Sequence, residues 1–349
     1  GRAACTPVRA CVAAASSHRG RPRGRAAAAA QPPSRSVGTL CTALVMTVPT
    51  VCVGRGDDSA AAAALYDAWS TLGYCYVSGA DEYVPRAVVT AMHGALEAFG
   101  ALPDDVKRSV HVSKGGVAWR GFVAYGDEGT RGTPDFKEGL YLGADLPDDH
   151  PGVVAGLPLH GRNLLPDAHV PQLRAAIADY VEAVTALGQR LMTLTSLALG
   201  LPADYMRREY TREPLAIVRA FAYPPSRAAS DGQSRFGIGD HTDFGLLTIN
   251  WQSAPGLQVY DERDAAAAGW IDVPPRDGAF VCSVGDMLDR MSDGRLISAR
   301  HRVINAGDTT RLAVPFFFDF SWDAHMRALP IDESSAPPRL VMSDAARAA

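Results

Sequence analysis

The stretch Phe236-Gly-Ile-Gly-Asp-His-Thr-Asp-Phe-Gly-Leu-Leu-Thr-Ile-Asn250 holds an imidazole and a carboxylate two residues apart, His241 and Asp243, inside an apolar, strand-like run. In an extended strand the side chains at i and i+2 leave the same face with Cα atoms roughly 6.5 Å apart, so both reach one cation while Thr242 points away. Two protein ligands hold a transition metal poorly, and a third has to come from another strand. His301, in Ile297-Ser-Ala-Arg-His-Arg-Val-Ile304, is the candidate. Two imidazoles and one carboxylate, with one side of the metal left open, form the facial arrangement that suits non-haem Fe(II) and its oxygen chemistry. Zinc hydrolases place two His at i and i+4 on a helix, and no His-Glu-x-x-His occurs in this chain.

Working outward, the chain from Glu213 reads as short strands separated by turns: 216–222, 246–251, 257–260, 270–273, 279–284, 301–304 and 312–318. Many short strands predict an antiparallel sandwich or barrel, and a double-stranded β-helix, the jelly roll, brings ligand-bearing strands together across its mouth. If Asn305-Ala306-Gly307 is a three-residue hairpin loop with Gly307 left-handed, Ile304 pairs with Asp308 and His301 stands opposite Arg311. Arg311 then shares the metal's cavity, and a small bidentate carboxylate can touch both.

Upstream, a strand at 48–53, an Ala-rich helix at 59–72 and a strand at 73–78 give a β-α-β opening, followed by a helix at 85–99. Trp69, Tyr74 and Phe99 are read as core. Residues 117–143 read as irregular strand and loop that can line a pocket. Apolar spacing predicts a long buttress helix over 171–199, stopped by Gly200 and Pro202. The expected organisation is thus α+β: an N-terminal helical and strand region over 46–170, the buttress over 171–212, a catalytic jelly roll over 213–322 and a tail over 323–349.

With 349 residues, 47% of them hydrophobic, the chain has ample material for a large core. No apolar run approaches the roughly 18 residues that span a bilayer, and the six cysteines show no paired spacing, which predicts a reduced compartment. Residues 1–45 carry seven Arg and no acidic residue. They read as a transit-like segment or as a spurious upstream extension, and lie outside the fold on either reading. The expected location is cytoplasmic if Met46 is the true start, and otherwise plastid or mitochondrion. Without those seven Arg, 27 Lys and Arg face 38 Asp and Glu, a net charge of about −11, which argues against nucleic acid as a partner.

These motifs, in order, resemble the isopenicillin N synthase-like group of Fe(II)- and 2-oxoglutarate-dependent oxygenases, from about Val48 to Leu329. The N-terminal part matches through Trp69, Gly73-Tyr-Cys-Tyr-Val77, Phe99, Leu102-Pro103, Lys107, Asp135-Phe-Lys-Glu138 and Gly161-Arg-Asn-Leu-Leu-Pro166. The C-terminal part matches through Tyr223-Pro-Pro225, His241-Thr-Asp243, Gly256-Leu-Gln-Val259, Gly285-Asp286, Ser298, His301-Arg-Val303 and Arg311. The resemblance implies that His241, Asp243 and His301 bind iron, that Arg311 pairs with the distal carboxylate of 2-oxoglutarate, and that Tyr223 hydrogen-bonds that cosubstrate. It implies a dioxygenase using Fe(II), 2-oxoglutarate and O2, stimulated by ascorbate. Such an enzyme hydroxylates, desaturates or cyclises a small organic metabolite, with succinate and CO2 as co-products.

The chain departs from the group's pattern at Ala313, where Ser is usual, at Phe221, where Asn is common, and at Ser283, another frequent Asn. Those departures keep open an Fe(II) oxidase of the same fold that does not use 2-oxoglutarate. A ligand-binding protein without turnover is the third alternative, and the complete His-Asp-His set argues against it.

Overall fold

The computed structural model describes residues 47–130, 132–225, 236–261, 269–305 and 307–332. The expectations for residues 1–45 lie outside them. In chain order the strands are β1 (Thr50–Cys52), β2 (Tyr74–Ser78), β3 (Gly121–Val123), β4 (Gly129–Thr130), β5 (Thr133–Pro134), β6 (Glu138–Gly143), β7 (Pro214–Tyr223) and β8 (Phe236–His241). They continue with β9 (Leu247–Gln252), β10 (Leu257–Tyr260), β11 (Trp270–Asp272), β12 (Phe280–Val284), β13 (His301–Ile304) and β14 (Arg311–Ser321). The principal helices are α1 (Asp58–Thr71), α2 (Arg86–Gly100) and α3 (Leu173–Ala198).

An eight-stranded sheet in the order β1-β2-β12-β9-β14-β7-β6-β3 faces a four-stranded sheet in the order β11-β10-β13-β8, and β4 and β5 form a small ribbon. This is the expected double-stranded β-helix with flanking helices. β1 lies parallel to β2, as the β-α-β opening predicts, and the N-terminal region inserts β1, β2, β3 and β6 into the large sheet. The Asp57 carboxylate caps α1 by accepting from the backbone N–H groups of Ser59 and Ala60 at 3.0 and 3.1 Å.

The period of two along each strand sorts the large sheet into two faces. On β14, Val314, Phe316 and Phe318 join the helix-side core, whereas Arg311, Ala313, Pro315 and Phe317 line a cavity between the sheets. On β7, Val218 and Ala220 go to the helices and Arg219, Phe221 and Tyr223 to the cavity. The buttress α3 packs on the helix side together with α1 and α2. It comes so close that a Cβ on Gly188 would lie 2.2 Å from Cδ2 of Phe318, which is why the position carries no side chain.

A buried ion pair, Lys107 Nζ to Glu138 at 2.9 and 3.1 Å, joins two of the motifs noted in the sequence. Residues 117–143, expected as irregular strand and loop, form β3 to β6 and carry Trp119, Lys137 and Tyr141 to the cavity.

Two expectations are corrected. The run 236–250 is not one strand: β8 ends at His241, and the chain crosses from the small sheet to the large one before β9 begins at Leu247. Nor do β13 and β14 form a hairpin, since β13 pairs with β8 and β10 while β14 pairs with β7 and β9. Ile304 pairs with Phe236 rather than Asp308, His301 pairs with His241 and Val259, and Arg311 pairs with Tyr223. Gly307 has no left-handed φ. The hairpin count assumed one sheet, whereas the connection between these strands passes from one sheet to the other.

Candidate active site

Across the mouth of the jelly roll, β13 sets His301 directly beside His241, with ring centroids 4.2 Å apart. The crossing segment after β8 supplies Asp243, whose Oδ1 lies 3.7 Å from Nε2 of each imidazole. One ligand atom from each of the three residues falls within 4.8 Å of the other two. Both rings are oriented from behind. Nδ1 of His241 lies 2.9 Å from the Gly239 carbonyl and Nδ1 of His301 lies 3.3 Å from that of Ala299, so Nδ1 donates and Nε2 presents its lone pair to the cavity. The Thr248 hydroxyl donates to Asp243 Oδ2 at 2.6 Å, leaving Oδ1 to face the imidazoles.

Electrostatics favour the same use. Burial pulls His301 down to about 4, against the Asp243 carboxylate, which raises it, so the ring is neutral at pH 7 and its lone pair is available. The Asp243 segment is locked by Asp286, whose backbone N–H donates to the Asp243 carbonyl at 2.7 Å. The Asp286 carboxylate accepts from Ser298 Oγ at 2.6 Å and Thr242 Oγ1 at 3.2 Å. Gly285 is fixed by packing, because a Cβ there would stand 2.2 Å from the Gly245 carbonyl oxygen. The Gly285-Asp286 and Ser298 motifs therefore hold the site in place without facing its centre.

Arg311 enters the same cavity from the large sheet, as expected, though by a different register. Its Nε donates to the Ala254 carbonyl at 3.0 Å and its Nη2 to Gln252 Oε1 at 2.7 Å, while the Gln252 amide N–H is itself held by the Val273 carbonyl at 2.7 Å. Nη1 is buried and has no hydrogen-bond partner among the described residues. A buried donor of a charged group is costly to leave unmade, so the arrangement calls for an anionic acceptor from a ligand. Tyr223, the register partner, lays its ring 4.9 Å from the Arg311 guanidinium carbon. The donor set thus fits both groups: two imidazoles and a carboxylate for Fe(II), and a preorganised guanidinium for the end of a dicarboxylate.

The cavity measures about 480 Å³, and its walls are largely apolar. Sequence reasoning did not single out Thr248 or Arg219 on these walls, or Gln252 behind Arg311, and it read Tyr74 only as core. Parity would have found them. Arg219 shares the phase of Tyr223 on β7, and Gln252 that of Thr248 on β9.

Fold and site together define a non-haem iron oxygenase, and comparison with known proteins gives the family. Residues 209–320 match the 2OG-Fe(II) oxygenase superfamily, and residues 48–168 match the N-terminal region described as that of the non-haem dioxygenase in morphine synthesis. A probable iron/ascorbate oxidoreductase of Dictyostelium discoideum is 37% identical over 279 residues, covering 74% of this chain and 75% of that protein. A 2-oxoglutarate-Fe(II) type oxidoreductase of Emericella nidulans is 32% identical over 289 residues, covering 79% and 80%. Among solved structures, a Caulobacter crescentus protein described as of the 2OG-Fe(II) oxygenase family superposes with a TM-score of 0.69 at 25% identity, covering 83% of this chain and 92% of its own. The chain belongs to the 2OG-Fe(II) oxygenase superfamily. It is an Fe(II)- and 2-oxoglutarate-dependent dioxygenase that uses O2 and acts on a small molecule.

Proposed function

We propose that His241, Asp243 and His301 hold one Fe(II), and that Arg311, backed by Tyr223, anchors the far carboxylate of 2-oxoglutarate. The rest of the cavity receives the small organic metabolite to be hydroxylated, desaturated or cyclised. One observation carries this reading: His241, Asp243, His301 and Arg311, whose Nη1 has no hydrogen-bond partner among the described residues, line one cavity.

Iron and 2-oxoglutarate supply the oxidising chemistry when bound, with succinate and CO2 as co-products. The chain's own residues set its geometry. Hydrogen bonds to backbone carbonyls fix both imidazoles, Thr248 turns the Asp243 carboxylate, and Gln252 with the Ala254 carbonyl points the Arg311 guanidinium. The apolar wall, including Ile238, Leu257, Val281 and Val303, keeps water from the reacting centre. A same-fold oxidase that does not use 2-oxoglutarate is not favoured, because the family match and the 2-oxoglutarate-Fe(II) type relative both point to the cosubstrate.

The test couples bound iron to succinate release. Purified protein is expected to bind about one Fe(II) per chain, and to release succinate and CO2 from 2-oxoglutarate in an iron-dependent way. If Asp243→Ala and His301→Ala retain that activity, the ligand assignment is wrong. If wild type consumes O2 with its substrate and yields no succinate, the anchoring role of Arg311 is wrong.

A further inference from the structure

The cavity holds a second guanidinium that the iron and cosubstrate sites leave without a task. Residues 217, 219, 221 and 223 of β7 face the cavity in succession. Arg219 therefore lies four residues from Tyr223, the partner of Arg311, a distance of roughly 13 Å along the strand. Its guanidinium carbon lies 3.7 Å from the centroid of the Tyr141 ring. Its hydrogen bonding is sparse: Nη1 reaches the Val218 carbonyl at 3.4 Å, a long contact, and among the described residues no carboxylate comes within 4.0 Å.

The neighbouring charges do not satisfy it. Glu128 is the carboxylate that acts on the Arg219 charge, and it is already ion-paired with Lys137 Nζ at 3.0 Å and accepts from the Tyr141 hydroxyl. Lys137, the other cation on this wall, is committed to Asp135 at 2.8 Å as well as to Glu128. Burial pulls Arg219 down to about 10, which still leaves it charged at neutral pH. A half-buried cation with most of its five donors open, on a largely apolar wall, lacks a partner that the described residues do not provide.

We propose that Arg219 is a substrate-positioning residue and that the substrate is a mainly apolar acid whose carboxylate docks on it, its apolar body extending along the wall toward the His241, Asp243 and His301 cluster. A carboxylate suits the geometry. The Tyr141 ring covers one face of the guanidinium and leaves its edge, the side that pairs with a planar, two-oxygen acceptor. A phosphate would call for a second free cation, and the Lys137 charge is already paired with Asp135 and Glu128. The proposal deepens the reading of the cavity as an iron and 2-oxoglutarate site and rests on it.

The test is calorimetry under argon on the enzyme loaded with Fe(II) and 2-oxoglutarate, using 3-phenylpropanoate, indole-3-acetate and octanoate, each against its primary amide. At least one acid is expected to bind wild type tenfold or more tightly than its amide. Arg219→Gln should erase that preference and Arg219→Lys should restore part of it. Iron content and 2-oxoglutarate affinity, measured on the same samples, should stay at wild-type values. Acids and amides that bind alike or not at all, or a preference that survives Arg219→Gln, overturn the proposal. Failure of the wild type to bind iron or 2-oxoglutarate is a separate result, and overturns the site assignment beneath it.

Discussion

Arg311 and Arg219 place guanidinium groups in one cavity and are built in opposite ways. Arg311 is 5% exposed, with two nitrogens fixed by Gln252 and the Ala254 carbonyl and a single nitrogen left open. Arg219 is half-buried and rests on Tyr141 with one long hydrogen bond. A rigidly aimed donor suits a partner that never changes, because its ordering cost is met in folding rather than at each binding event. A loosely held one tolerates partners of differing length. On the proposed assignment, the difference suits the Arg311 end to a constant cosubstrate and the Arg219 end to a variable substrate, with the His-Asp-His cluster between them.

The comparison breaks outright if that cluster is not the common centre. Replacing His241, Asp243 or His301 by Ala should abolish both iron binding and turnover while the far-UV circular dichroism spectrum stays that of the wild type, since the helix-side core does not touch these side chains. Metal analysis and the spectrum on the same sample decide it. Unfolding instead of iron loss would make the three residues a structural knot.

The next effect separates the two ends. Arg311→Ala removes charge-assisted contacts worth about 1.5 to 3 kcal/mol, so the KM for 2-oxoglutarate should rise roughly 10- to 150-fold. Arg219→Ala should leave that KM within about twofold, since it lies some 13 Å further along β7. Equal effects from the two substitutions would merge the ends into one anion site.

How far the sequence reveals this division follows from where local rules stop. Strand and helix periods are local, so the spans of α1, α3, β10 and β13 are legible to within a residue or two. The His241, Asp243 and His301 cluster is legible because residue types that can hold a metal are chemically restricted. Register between sheets is not local: the hairpin count from His301 to Arg311 brought the right side chains together for the wrong reason, since only folding shows that β13 and β14 belong to different sheets. Arg219 is hidden for a related cause. An Arg on a strand is most often solvent-facing, and it takes the known inward phase of Tyr223 to turn it toward the cavity.

Between the two ends lies Thr248, which should matter to the metal and to neither arginine. Thr248→Val keeps the shape and deletes the 2.6 Å hydrogen bond to Asp243 Oδ2. Loss of a contact of this kind lowers metal affinity by about 10- to 100-fold. The KM for 2-oxoglutarate at saturating iron should not move. Iron titration against a chelator reads the first quantity and steady-state kinetics the second, and a variant that binds iron like the wild type would show that Asp243 is oriented by its backbone alone.

The smallest expected effect tests how complete the Arg311 end already is. Ala313 stands two residues from Arg311 on the same face of β14, directly opposite Gln252, where the family resemblance places a Ser. The hydroxyl is absent, yet Gln252 fixes Nη2 and Tyr223 covers the guanidinium, so the anchor keeps its aim without it. What is missing is a single neutral hydrogen bond to the bound carboxylate, worth about 0.5 to 1.5 kcal/mol. Ala313→Ser should therefore lower the KM for 2-oxoglutarate by roughly 2- to 12-fold and leave substrate binding at the Arg219 end unchanged. An unchanged KM would mean that Gln252 and Tyr223 already make the anchor complete. A raised KM would mean that the new hydroxyl competes with Arg311 for Gln252 Oε1 and loosens the donor, making the rigidity of Arg311, rather than its hydrogen-bond count, what the cosubstrate end depends on.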